Sequence, residues 1–95
     1  MEIKKTDTFS KWETALRDTH GKQRVLSRIR HMSLGNFGDA KSVGDGVMES
    51  RIHCGPGYRL YYTIRGGTIV ILLVGGDKST QRLDIIKAKE LARSI

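Results

Sequence analysis

The feature that most constrains this chain is a set of three strand-like runs punctuated by glycine turns. They are "VMESRIHC" (47–54), "YRLYYTIR" (58–65) and "TIVILLVG" (68–75), joined by "GPG" and by Gly66-Gly67. Runs rich in β-branched and aromatic residues, so closely spaced, predict an antiparallel meander. A two-residue turn at Gly66-Gly67 would set Arg65 opposite Thr68, Thr63 opposite Val70, Tyr61 opposite Leu72 and Arg59 opposite Val74. Pairing Cys54 with Tyr58 would set His53 opposite Arg59, Arg51 opposite Tyr61 and Glu49 opposite Thr63. Because side chains alternate along a strand and opposed residues share a face, one face gathers Glu49, Arg51, His53, Arg59, Tyr61, Thr63 and Arg65, floored by Val70, Leu72 and Val74. The other gathers Met48, Ser50, Ile52, Leu60, Tyr62, Ile64, Ile69, Ile71 and Leu73, and reads as the core side.

The flanking segments supply the cover. "MEIKKT" reads as a short edge strand anchored by Ile3. Asp7 is placed to cap a helix starting near Thr8, with Phe9, Trp12, Ala15 and Leu16 on one face and an end at His20-Gly21. A second helix then carries Val25, Leu26, Ile29 and Met32 inward and Lys22, Arg24, Arg28 and Arg30 outward. Residues 34–46 are glycine-rich and read as a loop pinned by Phe37 and Val43. "GDKST" leads into a closing helix capped by Ser79 or Thr80, with Leu83, Ile86 and Leu91 among its apolar residues. The expected fold is a single α+β domain over residues 1–95. In it a twisted antiparallel sheet, a short N-terminal strand plus a three-strand meander, packs on an N-terminal helical hairpin and carries a C-terminal helix.

Composition narrows the function. Seventeen Lys and Arg against ten Asp and Glu give a net charge of +7 in 95 residues, which suggests a polyanionic partner. No run of about 18 apolar residues is present, so a membrane partner is not expected. The opening nine residues lack the apolar stretch of a secretory signal. The single cysteine, Cys54, offers neither a disulfide framework nor zinc spacing, and both points fit the cytoplasm.

The polar face of the meander is the natural place for that partner. Such a face is also what the solvated side of a two-layer domain looks like. Two features turn the reading toward a site. Arg59 falls in a central strand beside apolar neighbours, where an unmet charge is costly, and Lys78 follows the third strand near the same end. Guanidinium groups bind phosphate through paired donors and stabilise the charge of a pentacoordinate phosphorus. RNA carries its own nucleophile, the 2′-hydroxyl. Three separated histidines and no carboxylate cluster argue against a two-metal nuclease, so no cofactor is expected. Tyr61 could stack on a base while Arg51 and Arg65 follow the backbone; Lys22, Arg24 and Arg28 could hold RNA or an acidic partner.

Residues 35–92, "GNFGDAKSVGDGVMESRIHCGPGYRLYYTIRGGTIVILLVGGDKSTQRLDIIKAKELA", carry GDGV-x-E-x-RI, then GPGYR-x-Y, then L-x-GGDKS-x-Q. This order resembles the phage-derived, HigB-like "addiction module killer protein" branch of the RelE/ParE toxin superfamily. The resemblance implies a compact toxin that cleaves mRNA, commonly on the ribosome, by metal-free 2′-hydroxyl attack giving a 2′,3′-cyclic phosphate. It also implies a cognate antitoxin, usually a helix-turn-helix protein. By the same resemblance Arg59 takes the sheet arginine's contact with the scissile phosphate, Lys78 a basic position past the last strand, and Lys41 a substrate-binding place before the sheet. The late Tyr or His of many relatives is missing from the closing segment. The remaining candidates for proton transfer are Tyr61, His53, Lys78 and Glu49, with Glu49 or His53 as base. Two other readings are a ParE-like gyrase inhibitor and a non-catalytic antitoxin-binding module.

Overall fold

A computed structural model describes residues 1–95. In chain order the elements are β1 (Glu2–Lys5), α1 (Asp7–Ala15), α2 (Thr19–Ser33), β2 (Asp39–Gly44), β3 (Val47–Ile52), β4 (Tyr58–Arg65), β5 (Ile69–Asp77), a 3₁₀ turn (Lys78–Thr80) and α3 (Gln81–Ser94). The five strands form one sheet in the order β1-β5-β4-β3-β2. All neighbours are antiparallel except β1, which runs parallel to β5 at one edge. The architecture is therefore mixed α+β, and no helix is long and apolar enough to cross a membrane.

The segment expected to be a loop over 34–46 contains β2. Asp45 and Gly46 both take positive φ, 56° and 75°, as a two-residue type I′ hairpin requires, and they return the chain into β3. Phe37 pins the entry to β2 by stacking on Tyr62 with ring centroids 5.1 Å apart. The buried Ser50 hydroxyl donates to the Phe37 carbonyl at 2.8 Å.

The helix boundary also differs from expectation. α1 is capped by Thr6, whose hydroxyl accepts from the Phe9 amide at 3.0 Å and donates to the Leu73 carbonyl at 2.7 Å. α1 ends at Ala15, and Asp18 caps α2 by accepting from the Gly21 amide at 3.1 Å. His20-Gly21 thus opens a helix rather than closing one. Gly21 is required there because a Cβ would strike the Tyr58 ring. Starting α2 at Thr19 turns Gly21, Val25, Ile29 and Met32 inward. It leaves Leu26, expected inward, 45% exposed. Arg28, expected outward, turns into the fold and donates to Ser50 Oγ at 2.7 Å and the Arg51 carbonyl at 2.8 Å.

Both registers of β4 differ from expectation. On β3, Arg59 pairs with Arg51 and Tyr61 with Glu49, two residues from the expected pairing and so on the same face. The register on β5 is the larger correction. The turn takes in Thr68, so that Arg65 pairs with Ile69, and a bulge at Leu73 interrupts the ladder between Tyr62↔Leu72 and Tyr61↔Val74. A one-residue slip exchanges faces. Val70 and Leu72 therefore join Phe9, Val25, Met32, Ile52, Leu60 and Tyr62 in the core beneath the helical pair. Ile71, Leu73 and Val74 pack with Val47, Tyr61, Ala88 and Ala92 in a second core on the opposite side. The bulge lets two successive residues, Leu73 and Val74, serve that second core, and Thr6 satisfies the bulged carbonyl.

The second core means that the sheet is covered on both faces. The face expected to be polar and open lies under α3, which presents the small residues Ala88 and Ala92 to it and leaves Leu83 and Ile86 exposed. Gly75 and Gly76 make the sandwich possible. A Cβ on Gly75 would enter the Trp12 ring from α1, and one on Gly76 would meet the Asp84 carboxylate from α3.

Candidate functional site

The antiparallel register that brings β3, β4 and β5 together converges on one end of the sheet. Arg51 pairs with Arg59 across β3 and β4, and Arg59 pairs with Gly76 across β4 and β5. Beyond the strand ends, the turn 54–57 closes with the Gly57 amide donating to the Cys54 carbonyl at 3.0 Å. A pocket of about 360 Å³ opens there, lined by residues 53–57, Arg59 and Lys78. Its side-chain cations thus come from β4 and from the 3₁₀ turn, with His53 at the rim.

Arg59 is the unusual member. It is only 8% exposed, its Nε is buried without a hydrogen-bond partner, and none of the molecule's ion pairs includes it. Like charges directly opposed across two strands are destabilising, and Arg51 is opposed to Arg59. Arg51 has its own partners: its NH2 group donates to Asp39 Oδ1 at 3.1 Å, and its Nε lies 4.0 Å from Glu49 Oε1. The pocket therefore holds a largely buried arginine that has no ion-pair partner in the protein and whose Nε makes no hydrogen bond, an arrangement suited to an oxyanion.

Glu49 and Tyr61 sit deeper on the same face, under α3. Both are fully buried. Glu49 Oε2 accepts from the Tyr61 hydroxyl at 3.1 Å and from Gln81 Nε2 at 2.9 Å, tying β3, β4 and the first turn of α3 together. Burial, then the neighbouring Glu49 carboxylate, pushes the Tyr61 phenol well above its ordinary range. The expectation that Tyr61 stacks on a base is corrected by this burial, and Glu49 has no open path to a substrate in the pocket.

The remaining expected residues are dispersed. Lys41 is exposed on β2, opposite Glu49. Arg65 lies at the far end of β4, where it donates to the Ala92 carbonyl at 2.8 Å and so caps the C-terminus of α3. Arg24 is exposed on α2. Arg28 is engaged with Ser50 and Arg51 as described, and desolvation, then repulsion from Arg24, lowers its pKa. Neither Arg24 nor Arg28 lines the pocket.

Asp39 was not anticipated from sequence. It opens β2, pairs with Arg51, and its Oδ2 lies 2.6 Å from His53 Nε2. The hydrogen bond from His53, then that from Arg51, holds its carboxyl below the ordinary 3.8. The signal that could have found it was Asp45-Gly46, a hairpin dipeptide that implies a strand on its N-terminal side.

Fold and site together define a small α+β protein with a cationic pocket at one end of a doubly covered sheet. No family model matches the chain. Over all 95 residues it is 48% identical to a protein of Haemophilus influenzae that bears the name "Uncharacterized protein", spanning 100% of this chain and 96% of that one. The chain belongs to the family of that Haemophilus protein.

Proposed function

We propose that this protein is the toxin of a type II toxin–antitoxin module, a RelE-like endoribonuclease that cleaves mRNA at a phosphate seated against Arg59. The observation that carries the reading is Arg59, largely buried, in no ion pair and with its Nε unpartnered, beside Lys78 in an open pocket of a strongly basic chain. A scissile phosphodiester supplies the missing counter-charge. As the 2′-oxygen attacks, the phosphoryl oxygens gain charge, and a preoriented donor in a partly desolvated site stabilises that change more than it stabilises the ground state. The 2′-O–P bond forms, the P–O5′ bond breaks, and the products are a 2′,3′-cyclic phosphate and a 5′-hydroxyl. Lys78, exposed at the mouth, is placed to hold the phosphate or protonate the departing 5′-oxygen. The sequence resemblance supports the same reading, with the ribosome as the site of cleavage in the cytoplasm and a cognate antitoxin as inhibitor.

The test is cleavage of an mRNA in a translating extract, comparing wild type with Arg59→Met and mapping both new ends. The expected result is cleavage with cyclic-phosphate ends, lost in a variant that remains folded. Intact RNA with wild-type protein would sink the reading. Inhibition of gyrase supercoiling in a parallel assay would then indicate a ParE-like activity, and inactivity in both a binding-only module.

A further inference from the structure

We propose that His53 is the proton-transfer residue of this pocket and that Asp39 is its positioning residue, the two forming a carboxylate–imidazole pair built by the β2–β3 ladder. The inference rests on the ribonuclease reading and adds to it the identity of the proton acceptor and the group that aims it.

The pair follows from strand geometry. Asp39 and Arg51 are directly opposed on β2 and β3, so their side chains share a face. His53 lies two residues beyond Arg51, just past the end of β3, and continues on that side. One carboxylate thereby serves two donors, Arg51 through Oδ1 at 3.1 Å and His53 through Oδ2 at 2.6 Å. A carboxylate flanked by a guanidinium stays ionised and only accepts hydrogen bonds. The proton on the neutral imidazole is therefore on Nε2, and Nδ1 is left as the basic nitrogen. Arg51 matters because it fixes the carboxylate while the carboxylate fixes the ring, and Arg51 is itself held in a central part of the sheet.

Elimination points the same way. Tyr61 and Glu49 are fully buried beneath α3. Arg59 and Lys78 enter as cations, and a cation is no proton acceptor. His53 lines the pocket and is largely exposed, and its neutral imidazole offers a ring nitrogen able to accept a proton. In the reaction Nδ1 takes the 2′-hydroxyl proton as the O2′–P bond forms. The electron pair of the breaking P–O5′ bond goes to O5′, which takes a proton from the Lys78 ammonium. Asp39 stabilises the imidazolium that results, as an orienting carboxylate does in other catalytic pairs. Proton balance closes by exchange of His53 and Lys78 with solvent.

The test uses the full chain on ribosomes programmed with a short mRNA, at single turnover, for wild type, Asp39→Asn, His53→Gln and the double variant, each checked for folding by Trp12 fluorescence. His53→Gln should slow the maximal rate about 100-fold or more. Asp39→Asn should slow it about 10-fold or more, as loss of one charge-assisted hydrogen bond implies, without changing the toxin concentration that gives half-maximal rate. The double variant should be no slower than His53→Gln alone, because Asp39 acts through the ring. A purely structural Asp39 would instead slow the double variant further, and that result overturns the pairing. Wild-type rates in His53→Gln would overturn the role of His53 while leaving the ribonuclease reading intact. Inactive wild-type protein removes that reading and this inference with it.

Discussion

Replacing Arg59 by methionine should make the protein more stable. Most substitutions at buried positions destabilise, so the sign alone is diagnostic. Arg59 is 8% exposed, with Nε buried and unpartnered. An unsatisfied buried donor costs about 1–3 kcal/mol. Its cross-strand neighbour is Arg51, and a directly opposed like charge adds roughly 0.2–1 kcal/mol more. Methionine keeps the unbranched apolar stem and discards the charged head, so little packing is lost. The expected gain is about 1–3 kcal/mol, and in a domain of this size each kcal/mol moves Tm by roughly 4–8 °C. The assay is a thermal melt in dilute, phosphate-free buffer, repeated across a phosphate titration. Wild type should gain stability as phosphate fills the pocket, by about 2.7 kcal/mol at 100 times Kd, and Arg59→Met should not. A variant that melts below wild type without phosphate would refute the claim that Arg59 is held at a cost for its ligand.

Two further outcomes test the frame around the site. Gly75→Ala should destabilise by roughly 1–3 kcal/mol through overpacking, since its methyl enters the space of the Trp12 ring; an unchanged urea midpoint, followed by Trp12 fluorescence, would refute the packing of α1 on β5. Asp18 is held below 3.8 by the Gly21 amide and then the Tyr58 hydroxyl. Its folded pKa is thus the lower one, and its contribution is present at neutral pH and fades as pH falls through that folded pKa. Asp18→Asn keeps a competent cap, so wild type and variant should converge in stability as pH falls below 3.8 and through the lowered folded pKa. A difference that holds constant with pH would show that the Asp18 charge does no stabilising.

Much of the strand content was legible because it is local. β3 and β4 are β-branched and aromatic runs between glycine turns, and β1 and α3 likewise fall where the pattern put them. Alternation placed Glu49, Arg51, Arg59 and Tyr61 on one face, and they do share it. What misled was parity and cover. Taking Thr68 into the turn shifts β5 by one residue, and the Leu73 bulge changes the phase again before Val74. No pattern of apolar residues in β5 distinguishes the faces, because a strand buried on both sides is apolar throughout. The fate of Tyr61 followed from the same gap: its burial depends on α3, whose inward residues are alanines while its leucine and isoleucine at 83 and 86 face out.

The amino-acid sequence by itself determined β1, β3, β4 and most of β5, the presence of three helices, the excess of positive charge and the placing of Arg59 within the sheet, since each depends on propensity, periodicity or composition along a few residues. Only the tertiary structure decided that Arg59 lacks a counter-ion, that Glu49 and Tyr61 are sealed beneath α3, that Arg28 and Arg65 serve the fold, and that Asp39 reaches His53. Those are properties of residues 12 or more apart in the chain, brought together by strand register and helix cover. A charge becomes a site according to which partners the fold supplies and which it withholds.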